Sequence, residues 1–127
     1  MHRSRIGVVL IDHPADRYPE AARFWAAATG GSATGDPAAE QPYEHLAALG
    51  GDVSLYLQRT GTGTPPGVHL DIETDDVPAE TARLLELGAR VVVEHDEYRV
   101  LTDPGGLVFC IVPVQTKDFA ERARVWP

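Results

Sequence analysis

Two rhythms of apolar and polar positions alternate along the chain. Ile6 to Ile11 is an apolar, β-branched run, which predicts a strand buried on both faces or nearly so. Asp12-His13-Pro14-Ala15-Asp16 reads as a turn, and Pro19 stands where the first turn of a helix tolerates it. Ala21, Ala22, Phe24, Trp25 and Ala28 follow at helical spacing, with Phe24 read as a core residue. Gly30-Gly31 ends that helix, because glycine takes the left-handed cap conformation without steric cost. Ser32 to Pro42 is small and polar, a loop with at most a short strand. Tyr43 to Leu49 and Val53 to Gln58 predict a hairpin turning at Gly50-Gly51-Asp52.

The same order then returns. Thr60 to Gly67 is the one linker-like stretch. Val68 to Thr74 predicts a strand, Asp75-Asp76 offer helix caps, and Pro78 sits in the first turn. Leu84, Leu85 and Leu87 mark the apolar side of a helix ending at Gly88. Arg90 to Glu94, Tyr98 to Thr102 and Leu107 to Val112 predict three strands, the last two joined by the turn Asp103-Pro104-Gly105-Gly106. Gly7-Val8-Val9-Leu10 recurs as Gly67-Val68-His69-Leu70 sixty residues later, and Ala22-Arg23 recurs as Ala82-Arg83 at the same offset. Each half is a strand, a helix and two or three strands, so a duplicated module is expected. One half alone leaves a sheet face uncovered, so the two must share a core or a cleft.

Composition narrows the function classes. A chain of 127 residues, 43% apolar and 24% charged, is expected to be one domain with a real core. No apolar run approaches the ~20 residues of a membrane span. Ile6 to Ile11 is too short for a signal-peptide core, so a cytoplasmic location is expected. The net charge of −8 repels phosphate backbones and anionic membranes, and the basic residues are scattered apart from Lys117, Arg122 and Arg124. Neither nucleic acid nor membrane is an expected partner. The single Cys110 excludes an intrachain disulfide and any zinc site made only of cysteines.

Val68-His69-Leu70-Asp71-Ile72, a capped helix ending in Leu87-Gly88, and Thr102-Asp103-Pro104-Gly105-Gly106-Leu107-Val108-Phe109-Cys110 resemble the second module of glyoxalase-like proteins. Ala22-Arg23-Phe24-Trp25 and Leu57-Gln58-Arg59 resemble the first. These proteins belong to the vicinal oxygen chelate superfamily, with bleomycin-resistance proteins and extradiol dioxygenases. The resemblance implies an α+β fold: two tandem βαβββ modules whose mixed sheet curls around a cleft, helices outside. It divides a single domain, 1–127, into module one (about 5–59), a linker (60–67), module two (68–113) and a C-terminal tail (114–127).

In metal-dependent members the resemblance implies four cleft-facing ligands, two from the modules' first strands and two from their last. His69 matches the second module's first-strand position. Cys110 falls where its last strand usually carries a glutamate. Gln58, or Tyr56 two residues before it, falls at the first module's last-strand position. Gly7, Val8 or Val9 occupies the remaining place, and none of them binds a metal through its side chain. No metal cofactor is therefore expected. If a divalent metal were held, His69, Gln58 and Cys110 would hold it, with Asp71 or Glu73 as substitute carboxylates. Strand alternation puts His69, Asp71 and Glu73 on one face.

The expected function is binding: a cleft lined by Tyr56, Gln58, His69, Asp71 and Cys110 that sequesters or carries a small organic ligand. The alternative is a metal-dependent lyase, isomerase or dioxygenase, and His69 is then the best catalytic candidate. His2, His13, His45 and His95 read as surface residues. In the tail, Phe119, Ala120, Ala123 and Trp126 fall on one helical face, with Asp118 as the cap. That helix must bury its aromatics against the chain's own sheet edge or a second copy. A homodimer contact is the expectation.

Overall fold

A computed structural model describes residues 1–127. Along the chain run β1 (His2–Pro14), α1 (Tyr18–Thr29), β2 (Tyr43–Gly50), β3 (Val53–Thr60), β4 (Gly67–Thr74), α2 (Val77–Glu86), β5 (Arg90–Glu94), β6 (Arg99–Thr102), β7 (Val108–Pro113), α3 (Phe119–Arg122) and β8 (Arg124–Trp126). Eight strands in a mixed sheet and three helices make an α+β fold. The chain forms two compact units, one of Met1–Val8 with His69–Pro127, the other of Val9–Val68.

In the Val9–Val68 unit the strand order is β2-β3-β1. β2 and β3 form the expected hairpin, pairing Tyr43 with Gln58 and His45 with Tyr56. Tyr18, Ala22, Leu46 and Leu57 form the core, and Ile11, Trp25 and Leu55 pack against it. The helix buries the stripe through Tyr18, Ala22 and Trp25, spaced by four and three residues. Phe24 lies beside that stripe and is 63% exposed, which corrects its assignment to the core. It meets Trp25 edge-on with centroids 5.2 Å apart. Gly30 ends α1 with φ 73°, the left-handed geometry the sequence asks of it.

A carboxylate organises the long loop. Glu44 accepts hydrogen bonds from Tyr18 Oη (2.6 Å), Thr34 N and Oγ1 (2.9 Å each) and Gly35 N (3.1 Å). Burial acts to raise the Glu44 carboxyl, but these donors outweigh it and hold the group below the usual carboxylate range. Burial, and then the bond to Glu44, push the Tyr18 phenol well above its ordinary value.

In the other unit, β4 pairs with β7 in parallel, and β6 pairs antiparallel with both β7 and β5. Asp76 caps α2 by accepting from Ala79 N at 3.0 Å. The buried residues Leu101, Phe109 and Ile111 meet Leu70, Ile72, Val77 and Leu84. In the 103–106 turn, Asp103 Oδ1 accepts from Gly105 N (2.8 Å) and Leu107 N (2.9 Å).

β1 is longer than the apolar run, and its buried residues (His2, Ser4, Gly7, Leu10 and Pro14) are separated by partly or fully exposed ones. Ile6 is 45% exposed, so the strand is not buried on both faces. The tail also differs from its expected form. α3 is a single turn, Phe119–Arg122, after which Ala123 turns extended (φ −71°, ψ 143°). Residues 124–126 then pair antiparallel with His2–Ser4 of the same chain. A short helix is marginal in water, whereas a strand edge offers partners for alternate backbone groups. Asp118 makes no side-chain cap bond; its carboxylate takes Arg5 (2.6 Å) and Arg122 (2.8 Å). Phe119 is buried, and the Trp126 indole donates to Ser4 Oγ at 2.8 Å beneath the Arg83 guanidinium, 3.7 Å from the ring centroid. The aromatics expected to meet a second copy are thus used within the chain.

His2 is likewise not a surface residue. It is 7% exposed and lies 3.0 Å from a fully buried Glu80 carboxylate oxygen. Arg83 holds the same carboxylate through Nε (2.6 Å) and Nη2 (3.0 Å).

Candidate functional site

β4 divides its side chains between two environments. Leu70 and Ile72 join the core under α2, so alternation turns His69, Asp71 and Glu73 to the opposite face of the strand. The same logic applies on β7, where Phe109 and Ile111 are core and Cys110 points the other way. The parallel register sets Asp71 directly beside Cys110.

The result is one imidazole, one carboxylate and one thiol. Their ligating atoms all lie within 4.8 Å of one another. His69 Nε2 is 3.5 Å from Asp71 Oδ1, and the two side chains are 15% and 14% exposed. Register places Val100 of β6 beside Cys110 and Thr102 beside Val108, so aliphatic groups flank the polar ones. Val108 is 45% exposed.

Glu73 shares the face but not the role first open to it. Its carboxylate is fully buried and accepts from Arg5 Nε (2.8 Å), Gln115 N (2.8 Å), Thr116 N (3.0 Å) and Thr116 Oγ1. A Cβ on Gly7 would stand 2.7 Å from Glu73 Cδ. Gly7 is therefore small because this carboxyl group lies over it, not merely a missing ligand. Glu73 is corrected from substitute metal ligand to internal ion-pair partner. Arg5, two residues before a glycine on β1, was the available signal for it.

Tyr56 and Gln58 lie on β3 in the Val9–Val68 unit. They alternate with buried Leu57 and are half-buried. Tyr56 meets His45 edge-on, centroids 5.3 Å apart, a neighbour the sequence pattern did not single out.

His69, Asp71 and Cys110 reach the minimum of three protein ligands that a catalytic zinc takes. The thiol and imidazole suit a borderline cation such as zinc better than magnesium or calcium, which prefer all-oxygen shells. Asp71 stands in this cluster where the sequence pattern had put Gln58.

A family model described as a glyoxalase-like domain matches residues 8–112. No curated protein matches the chain. A triple mutant of 4-hydroxymandelate synthase from Streptomyces coelicolor is similar in structure, with a TM-score of 0.53 and 15% sequence identity. The match covers 91% of this chain and 50% of that one, so this chain spans half the length of the synthase. TnmS3, an antibiotic binding protein from Streptomyces sp. CB03234, aligns at 22% identity over 87% of this chain and 96% of its own, with a TM-score of 0.33. The strand and helix order and a family match over most of its length agree: the chain belongs to the glyoxalase-like domain family.

Proposed function

We propose that this protein binds a small, partly apolar organic molecule and works as a homodimer in the cytoplasm, without a tightly held metal. The observation that carries the reading is the face of β4 and β7 on which His69, Asp71 and Cys110 meet among aliphatic side chains. Asp71 faces His69 at 3.5 Å, and a carboxylate has acceptor positions left for a ligand that brings a hydrogen-bond donor beside an apolar body. Gly7, Val8 and Val9 contribute no donor side chain, which leaves the metal site degenerate. No helix is long and apolar enough to cross a membrane. Tyr56 and Gln58 stand as further ligand-reading candidates, tested by their own substitutions.

The cluster itself favours a second reading, a metal-dependent lyase, isomerase or dioxygenase. His69, Asp71 and Cys110 would hold the ion, and a divalent cation there would polarise vicinal oxygens of a substrate. In that case His69 serves as a ligand rather than as a general base.

Backbone amide shifts recorded during titration with a library of small organic molecules test the binding reading. Ligands should move resonances of residues 69–71 and 108–110 first, and Asp71→Asn should weaken the best of them by about tenfold, or 1.4 kcal/mol. Shifts confined to other elements would contradict the assignment.

A further inference from the structure

β5 ends the strand order and has one neighbour, β6. All five of its residues, Arg90-Val91-Val92-Val93-Glu94, are exposed. Val91, Val92 and Val93 are exposed by 39%, 57% and 43%. A row of valines on an open edge is a liability in a chain that stays alone, and such edges are normally blunted by charge, proline, a bulge or cover. Here charges stand at the two ends and a bulge lies between them, which together still leave Val92 57% exposed.

The order of these residues is self-complementary. If β5 lies antiparallel to a second β5 about a two-fold axis through Val92, Arg90 faces Glu94 of the partner subunit. Val91 then faces Val93 of the partner subunit, and the two Val92 side chains meet at the axis. Both ion pairs form at once, as an isologous contact requires. In parallel alignment Arg90 would face Arg90 and Glu94 would face Glu94, so charge selects the antiparallel pair. Glu94 reaches Arg99 at 3.5 Å within its own chain but is 71% exposed, so its outer side stays open to a second cation.

A bulge between Val91 and Val93 adds a second feature. It takes Val92 out of step with β6 and strengthens the local twist. A twisted, bulged edge resists continuous strand addition but leaves a projecting valine to pack against its equivalent. Contact of this kind closes at two copies and does not propagate. The tail offers no competing surface, because Phe119 is buried and Trp126 lies against Ser4 and Arg83.

We propose that β5 is the homodimer surface, packed antiparallel against β5 of a second copy through the side chains of Val92 and two Arg90–Glu94 ion pairs. This rests on the homodimer part of the functional reading. Sedimentation of the full chain across micromolar concentrations tests it, with circular dichroism and thermal melting confirming that each variant is folded. The native protein should sediment as a dimer. Arg90→Glu sets acid against acid twice and should raise the dissociation constant at least about tenfold. The double change Arg90→Glu with Glu94→Arg should restore the dimer, and Val92→Glu should abolish it. A dimer indifferent to Arg90→Glu and Val92→Glu, or a double change that fails to restore association, overturns the β5 surface while the homodimer stands. A native monomer overturns both.

Discussion

Replacing Arg5 with Ala should destabilise the fold by about 3–5 kcal/mol, the usual effect of breaking one side of a buried ion pair. Arg5 is 11% exposed and reaches three groups: Glu73, Thr116 and Asp118. Without it, the fully buried Glu73 carboxylate keeps only the donors of residues 115 and 116. The loss therefore reaches β1, β4 and the start of the tail together. Gly7→Ala should act through the same carboxylate, because its Cβ falls 2.7 Å from Glu73 Cδ. Equilibrium urea unfolding checks both. An Arg5→Ala variant within 1 kcal/mol of the native protein, well under the range above, would show the network to be dispensable.

Glu80→Gln should be the other large effect, and it should depend on pH. Burial acts to raise the Glu80 carboxyl, but hydrogen bonds from Arg83, Ser4 and His2 outweigh it, and the group titrates below its ordinary value of 4.5. A depressed folded value stabilises the native state above the unfolded value, and this contribution fades as pH falls through the folded value. Near neutral pH the glutamine variant leaves Arg83 without its charged partner and should cost about 2–4 kcal/mol. As pH falls through the depressed folded value the native carboxyl is protonated too, and the two proteins should converge in stability. Urea titrations at several pH values measure this. A difference that stays constant from neutral to acid pH would mean that Glu80 acts through shape rather than charge. Since Ser4 also accepts from Trp126, and Arg83 covers the indole, the variant should loosen the tail first.

The fold was largely legible, because its signals are local. Gly30, Asp76 and the Asp103–Gly106 turn act within a few residues of themselves, and each marks an element boundary in the structure. The errors concern partners distant in sequence. Phe119 and Trp126 have the spacing of a helix, yet Ser4, Arg5 and Arg83, as many as 122 residues away, decide what the tail does. His2 reads as a frayed terminus until Glu80 is placed beside it. Periodicity reports that Phe24 is apolar on a helix but not which of two adjacent aromatics turns inward.

The candidate site was legible in part for the same reason. Alternation alone puts His69 and Asp71 on one face, and the β4–β7 register brings Cys110 beside them. Glu73 obeys the same alternation, and nothing local to it reveals that Arg5 and the backbone at 115–116 claim its oxygens.

The central claim is that a ligand, not a metal, belongs at His69, Asp71 and Cys110. Elemental analysis of protein purified without a histidine tag tests it most directly. The account predicts far less than one equivalent of nickel, zinc, iron or manganese per chain, unchanged in His69→Ala. One equivalent of a single metal, lost in His69→Ala, would contradict it and establish the metal-dependent reading instead.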